Sequence, residues 1–431
     1  MTTFERFEGD LPMLLDQLAT SRPPDYLDEV FERTARARQR PRWTFPERWL
    51  PLSVTTRPAA THLPVRALAL LVLALLAIAL AGIVLVGSMR PDLPTPFGVA
   101  GNGQVAYTSS NDIVLVDPVT GSSSQLTTSL ELESAPTFSP DGTGLAFRRL
   151  ESGRTIDSYD IVVVDADGSH ARTVASLPIA YWSGFDSYQW TPDSRSLLVN
   201  VQASGELRLY NAAAASEPRI LARGVTNVEF RPPKGDQILF RRLDMSGTGL
   251  YTMNVDGSDI RPLIVIKLGE TLGEEDLGSA RWSPDGSKIV FTRTPPGLAD
   301  QQHIYVMDAD GSDIQPLPIG AGTDYASRMT WSPDGTRIAF ERWDGDEERL
   351  TIGVLTLATG IVIDVGPQLG AEGVVFDWSP DGTTIIAVPG DDPQLIAIDP
   401  SEGSWEPMGS DLSFEQGVLN DFRPSWQRLK P

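Results

Sequence analysis

Five charged residues at two recurring positions are the candidates for chemistry in this sequence. Glu229, Arg281 and Asp377 each stand immediately before the aromatic residue of a repeated motif. Arg328 and Arg423 stand two residues before two other members of that same position, Thr330 and Ser425. Arginine can bind a carboxylate through two parallel hydrogen bonds, and a low-dielectric wall strengthens the contact. A surface mixing these charges can hold a peptide terminus or an acidic sugar. The alternative is that the five satisfy one another between repeats and bind nothing.

Other chemistry has few carriers. The 431 residues include no cysteine, which excludes disulfides, thiolate metal sites and a cysteine nucleophile. The only histidines, His62, His170 and His303, show no ligand spacing. Asp-x-Asp-Gly runs begin at Asp165 and Asp308, with a variant at Asn254. They lack the further ligands of a calcium loop and read as hairpin turns. No metal and no cofactor is expected. A net charge of −22 argues against nucleic acid as a partner, because phosphate must be neutralised by basic surface.

The elements that position the five residues are repeats. Phe138, Trp190, Phe230, Trp282, Trp331, Trp378 and Trp426 are spaced by 52, 40, 52, 49, 47 and 48 residues. The aromatic is followed by Ser-Pro-Asp-Gly in four copies, three of them ending at Gly286, Gly335 and Gly382. Proline presets φ, aspartate caps locally and glycine accepts positive φ, so the motif is a tight turn after a strand. Two further β-rich runs and a short fourth one follow in each unit. Periods near this length built from four strands describe a β-propeller.

Residues 103–128 supply three strands with no motif strand before them, and the segment at Trp426 is a motif strand with nothing after it. Together they complete one blade. The expectation is an all-β, seven-bladed propeller closed by its N- and C-terminal strands. Alternation then puts the residue before each aromatic on the opposite face, near the central channel.

The Trp282, Trp331 and Trp378 copies and the intervening Ile304-Tyr-Val-Met-Asp-Ala-Asp-Gly strand resemble the TolB-type, WD-repeat-like propeller family over residues 100–431. That resemblance implies an extracytoplasmic binding scaffold. Propellers of this type also accompany peptidases that carry a G-x-S-x-G nucleophile elbow. No such motif occurs here, so the expectation is a chain that is not an enzyme and binds a protein, peptide or glycan. A propeller glycan lyase or hydrolase is a further alternative.

Residues 67–87 are an uncharged apolar run of 21 residues, about 32 Å of helix and enough to cross a bilayer. Residues 1–66 contain two short helical patterns, around Leu11 to Leu18 and after Asp25. They also contain an arginine-rich stretch at 33–42 and the aromatics Trp43, Phe45 and Trp49. Arginine 48, 57 and 66 precede the apolar run and only Arg90 follows closely, which places the tail in the cytoplasm. The expected order is a partly helical cytoplasmic tail at 1–66, a transmembrane helix at 67–87, a linker at 88–102 and an extracytoplasmic propeller at 103–431. The tail could take a cytoplasmic partner, and the layout also matches a membrane-bound anti-sigma-like regulator with an external sensor. Protease added to spheroplasts should remove the propeller and spare the tail; protection of the propeller would reverse the orientation.

Overall fold

A serine hydroxyl organises each motif turn. In the third complete copy, Ser332 Oγ donates to Asp334 Oδ1 at 2.5 Å and accepts the Arg337 N–H at 2.9 Å. The Gly335 N–H closes the turn on Ser332 O at 2.8 Å, and Ser332 is fully buried. Gly286, Gly335 and Gly382 take φ of 69°, 71° and 74°. This is a type I turn followed by a left-handed glycine, a common hairpin connection. The sequence assigns work to proline, aspartate and glycine; the serine's part appears only in the coordinates.

The computed structural model describes residues 95–150, 158–179, 187–244, 247–267, 277–294, 302–319, 323–344, 349–370, 373–390, 394–409 and 424–430. The chain divides into two compact units, Met1–Arg90 and Pro91–Pro431. The predicted tail and transmembrane helix lie outside the described residues. Among the described residues no helix is long and apolar enough to cross a membrane.

The second unit is a seven-bladed propeller of seven antiparallel four-stranded sheets. The inner strands of blades 2 to 7 are Leu132–Phe138, Ser187–Trp190, Val225–Phe230, Leu277–Trp282, Thr323–Trp331 and Val374–Trp378. Blade 1 is composite, as expected: Ser425–Leu429 pairs with Gly101–Ser109, with Trp426 opposite Val105. Blades 3 and 4, whose motifs depart most from the pattern, are complete four-stranded sheets.

The core lies between blades. One cluster joins Leu239 and Leu250 of blade 4 to Trp282 and Phe291 of blade 5 and Phe340 of blade 6. Phe147, Phe240, Phe291 and Phe340, from the second strands of blades 2, 4, 5 and 6, are fully buried, each contributing roughly 2–3 kcal/mol by leaving water. Six motif aromatics are buried as well. Trp331 is the exception: it is half-buried, packed at the edge of the cluster that joins blades 4, 5 and 6.

Motif turns also stack around the ring. The glycine of one turn rests on the proline of the preceding blade's turn, Gly335 on Pro284 and Gly382 on Pro333. Arg337 reaches forward, donating to Gly382 O at 2.7 Å while its guanidinium lies 4.6 Å from the Trp378 ring. Arg231 does the same to Gly286 O and Trp282, at 3.0 and 4.9 Å.

These contacts separate two glycines that look equivalent in the sequence. A Cβ on Gly335 would meet nothing closer than Pro284 Cδ at 3.6 Å, whereas on Gly286 it would lie 1.9 Å from Pro232 O. Gly335→Ala should therefore cost only the left-handed strain, about 1–2 kcal/mol. Gly286→Ala should cost distinctly more, because backbone must move. Urea unfolding of both variants checks this, and equal losses would show that the stacked turns do not touch.

Candidate functional site

The residue before each motif aromatic lies on the accessible side of its inner strand. Thr137, Gln189, Glu229, Arg281, Thr330 and Ser425 are half-buried and Asp377 is exposed, each next to a buried or largely buried aromatic. Strand alternation accounts for this placement opposite the aromatics. Glu229, Arg281, Arg328 and Asp377 together line one cavity of about 350 Å³, with Met329 and Phe376 as its apolar wall. Arg423 lies outside the described residues.

Glu229 and Arg281 occupy the centre of the arrangement. Two further cavities, of about 250 and 230 Å³, share this pair. Glu229 Oε2 accepts the Trp282 N–H of the next blade at 2.7 Å. Burial pushes its carboxyl up to about 7, although the Arg281 charge and the Trp282 N–H both pull it back. Near neutral pH this group can therefore either donate or accept a hydrogen bond.

Arg328 reaches the cavity by a different route from the one alternation suggests. The ladder shifts register between Ser327 and Thr330, and Arg328 takes a φ of 46°. The bulge breaks the two-residue period and re-aims the side chain. Its Nε lies 3.4 Å from Glu341 Oε2 and its Nη1 donates to Val374 O at 3.3 Å. Ala135 and Asn227 take the same left-handed conformation at the equivalent bulge of blades 2 and 4, so this bend belongs to the inner strand of the blade and not to Arg328 alone. Asp377 Oδ1 accepts the Trp378 N–H at 2.9 Å.

The same polar position also carries packing bonds. Some members lace blades together through backbone: Ser425 Oγ accepts the Phe138 N–H at 3.0 Å, and Gln189 Nε2 donates to Val228 O at 2.7 Å. Arg281, Arg328 and Asp377 present their charge to the cavity.

Two contributors escape the sequence reading. Glu341 is buried beside Ser327 and receives both Arg328 and the Val374 N–H. Nothing in the sequence marks it out, because its strand also carries Arg337, Arg342 and Asp344. Arg428, two residues after Trp426, lines the 250 Å³ cavity. The Asp-x-Asp-Gly runs are hairpin turns, with Gly168 and Gly311 N–H donating to Asp165 O and Asp308 O.

No family model matches the sequence. A curated relative, the uncharacterized peptidase YuxL of Bacillus subtilis (strain 168), is 29% identical over 212 residues, 47% of this chain and 28% of the relative. The match thus spans little more than a quarter of that protein. Among solved structures, a prolyl endopeptidase aligns with a TM-score of 0.54 and 13% identity, over 75% of this chain and 51% of its own. Oligogalacturonate lyase from Vibrio parahaemolyticus aligns at 0.52 and 14%, over 75% and 89%. TolB from Acinetobacter baumannii aligns at 0.48 and 20%, over 76% and 68%. Such structural likenesses concern the fold alone.

The expectation of a chain that is not an enzyme is overturned by the curated relative, which is named a peptidase. That expectation rested on a missing G-x-S-x-G elbow. An absent motif excludes only the chemistry that motif performs, not every activity a propeller can serve.

The carboxyl of Glu229 gives a test by pH. Between its ordinary 4.5 and about 7 the folded chain keeps a proton that the unfolded chain has lost. Stability from this group therefore falls as pH rises through that window. Glu229→Gln keeps an acceptor for the Trp282 N–H and removes the titration. Its stability relative to wild type should rise by roughly 1–3 kcal/mol between pH 4.5 and 7.5. A pH-independent difference in chemical unfolding would place Glu229 in solvent.

Proposed function

We propose that this chain is the peptide-holding propeller of a proteolytic system, displayed outside the cell on a single membrane helix. One observation carries the proposal: Arg281 and Arg328, from neighbouring blades, line one cavity with an apolar wall of Met329 and Phe376. Its volume falls within the range of small-ligand sites. Two guanidinium groups at the wall suit a peptide carboxylate, and the apolar wall suits the adjoining side chain. Asp377, on the same wall, repels a second carboxylate and accepts amide N–H groups of the bound segment. The peptidase name of the curated relative supports peptide over glycan as the ligand.

Fluorescence anisotropy with short labelled peptides tests the reading. Peptides with a free C-terminal carboxylate should bind, and the same peptides amidated should bind at least about 10-fold more weakly, the value of one lost charge-assisted contact. Arg281→Ala combined with Arg328→Ala should lose binding at a temperature where circular dichroism shows the variant folded, Arg328 being also the partner of the buried Glu341. Equal binding of acid and amide peptides would reject the carboxylate site. Mass spectrometry of unlabelled peptides incubated with the full chain checks the proteolytic part; peptides that stay intact would count against it.

A further inference from the structure

The 250 Å³ cavity differs from its neighbours in what forms its wall. On the ring side it is built from motif residues of successive blades, Trp282, Pro284, Trp331 and Pro333 among them, so it lies at the motif-turn mouth of the channel. The remaining wall is the chain itself, Pro96, Phe97 and Gly98, on its way into the first strand of the propeller.

These residues do not follow the rim. Phe97 packs against the cluster of Leu198, Val225 and Phe230, which joins blades 3 and 4. Three residues later, the Ala100 N–H donates to Pro380 O of blade 7 at 2.8 Å, and Gly101 pairs with Leu429 in blade 1. Four extended residues reach at most about 14 Å. A chain that leaves blades 3 and 4 and arrives at blades 7 and 1 within that length must pass over the axis.

A dedicated group holds the crossing. Arg428 Nη2 donates to Gly98 O at 2.5 Å and its Nε to Thr95 O at 3.3 Å. Burial disfavours its charge, with Asp377 compensating in part. A buried guanidinium needs its donors satisfied, and both of these bonds go to the crossing segment. Gly98, at a φ of 76°, supplies the bend after Phe97.

We infer that residues 95–98 form a strap across the motif-turn mouth of the channel, so that bulky ligands reach the Arg281–Arg328 cavity only from the opposite mouth. The strap stands on packing and hydrogen bonds alone, whether or not that cavity takes a peptide.

The absence of cysteine makes the test direct. Ser425 lines the cavity beneath the strap and Ser279 lines the Arg281–Arg328 cavity. Ser425→Cys and Ser279→Cys, made separately in the full chain, are labelled with fluorescein maleimide. The Ser279→Cys thiol should react at least fivefold faster. Phe97→Ala or Arg428→Ala should raise the Ser425→Cys rate severalfold and leave the Ser279→Cys rate unchanged. Two independent releases of the strap, with melting curves for each, separate opening from unfolding: unfolding would accelerate both thiols together and overturn the assignment for that variant pair. Equal rates for the two thiols with the strap intact, or a Ser425→Cys rate indifferent to both substitutions, would show that nothing blocks this mouth.

Discussion

The pairing of Ser425–Leu429 with Gly101–Ser109 is the contact on which the rest of the propeller depends. It joins strands more than 300 residues apart and turns an open row of sheets into a ring. An open row would expose two sheet edges and leave blade 1 without its inner strand. The joint is reinforced beyond the ladder. Gln427 Nε2 donates to Gly142 O in blade 2, and Asn102 Oδ1 accepts the Asp381 N–H of blade 7. Both neighbours of the composite blade are thus tied to it by side chains.

With the ring closed, every blade shares two interfaces, and the repeated motif is best understood as inter-blade hardware. The buried serine shapes the turn, the glycine lets the previous blade's proline approach, and the tryptophan fills the wedge between sheets. Indole N–H groups extend the pattern: Trp190 Nε1 donates to Thr137 O and Trp378 Nε1 to Thr330 O, each one blade back. The same closure brings inner strands together, so that Glu229, Arg281, Thr330 and Asp377 from successive blades line one cavity. Function and packing therefore compete for the same residues. Glu229 shows this most clearly: its carboxylate caps the Trp282 N–H while facing Arg281 across shared cavities.

The propeller is a scaffold on which several chemistries have been placed, and its outline says little about which one applies. The relative named a peptidase bears on this chain through a match covering 28% of its own length. The ring is shared by proteins of different function, so the fold alone assigns none.

Much of this was legible without coordinates. The aromatic spacing determined seven units, the unmatched strands around 103–128 and Trp426 determined how the ring closes, and Ser-Pro-Asp-Gly determined a turn with a left-handed glycine. Those are properties of local patterns: period, turn chemistry and alternation act within a few residues. Alternation likewise put the residue before each aromatic on the face opposite to it. Tertiary structure decided everything that depends on convergence. Only packing shows that the ladder bulges at Arg328, that Glu341 receives it, that Trp331 stays partly open and that Glu229 holds its proton near neutrality. Only the closed ring brings Phe97 against blade 4 while Ala100 is bound to blade 7. Each of these results from surfaces far apart in the chain meeting at close range, where burial and charge set the energies and no single stretch of sequence contains both partners.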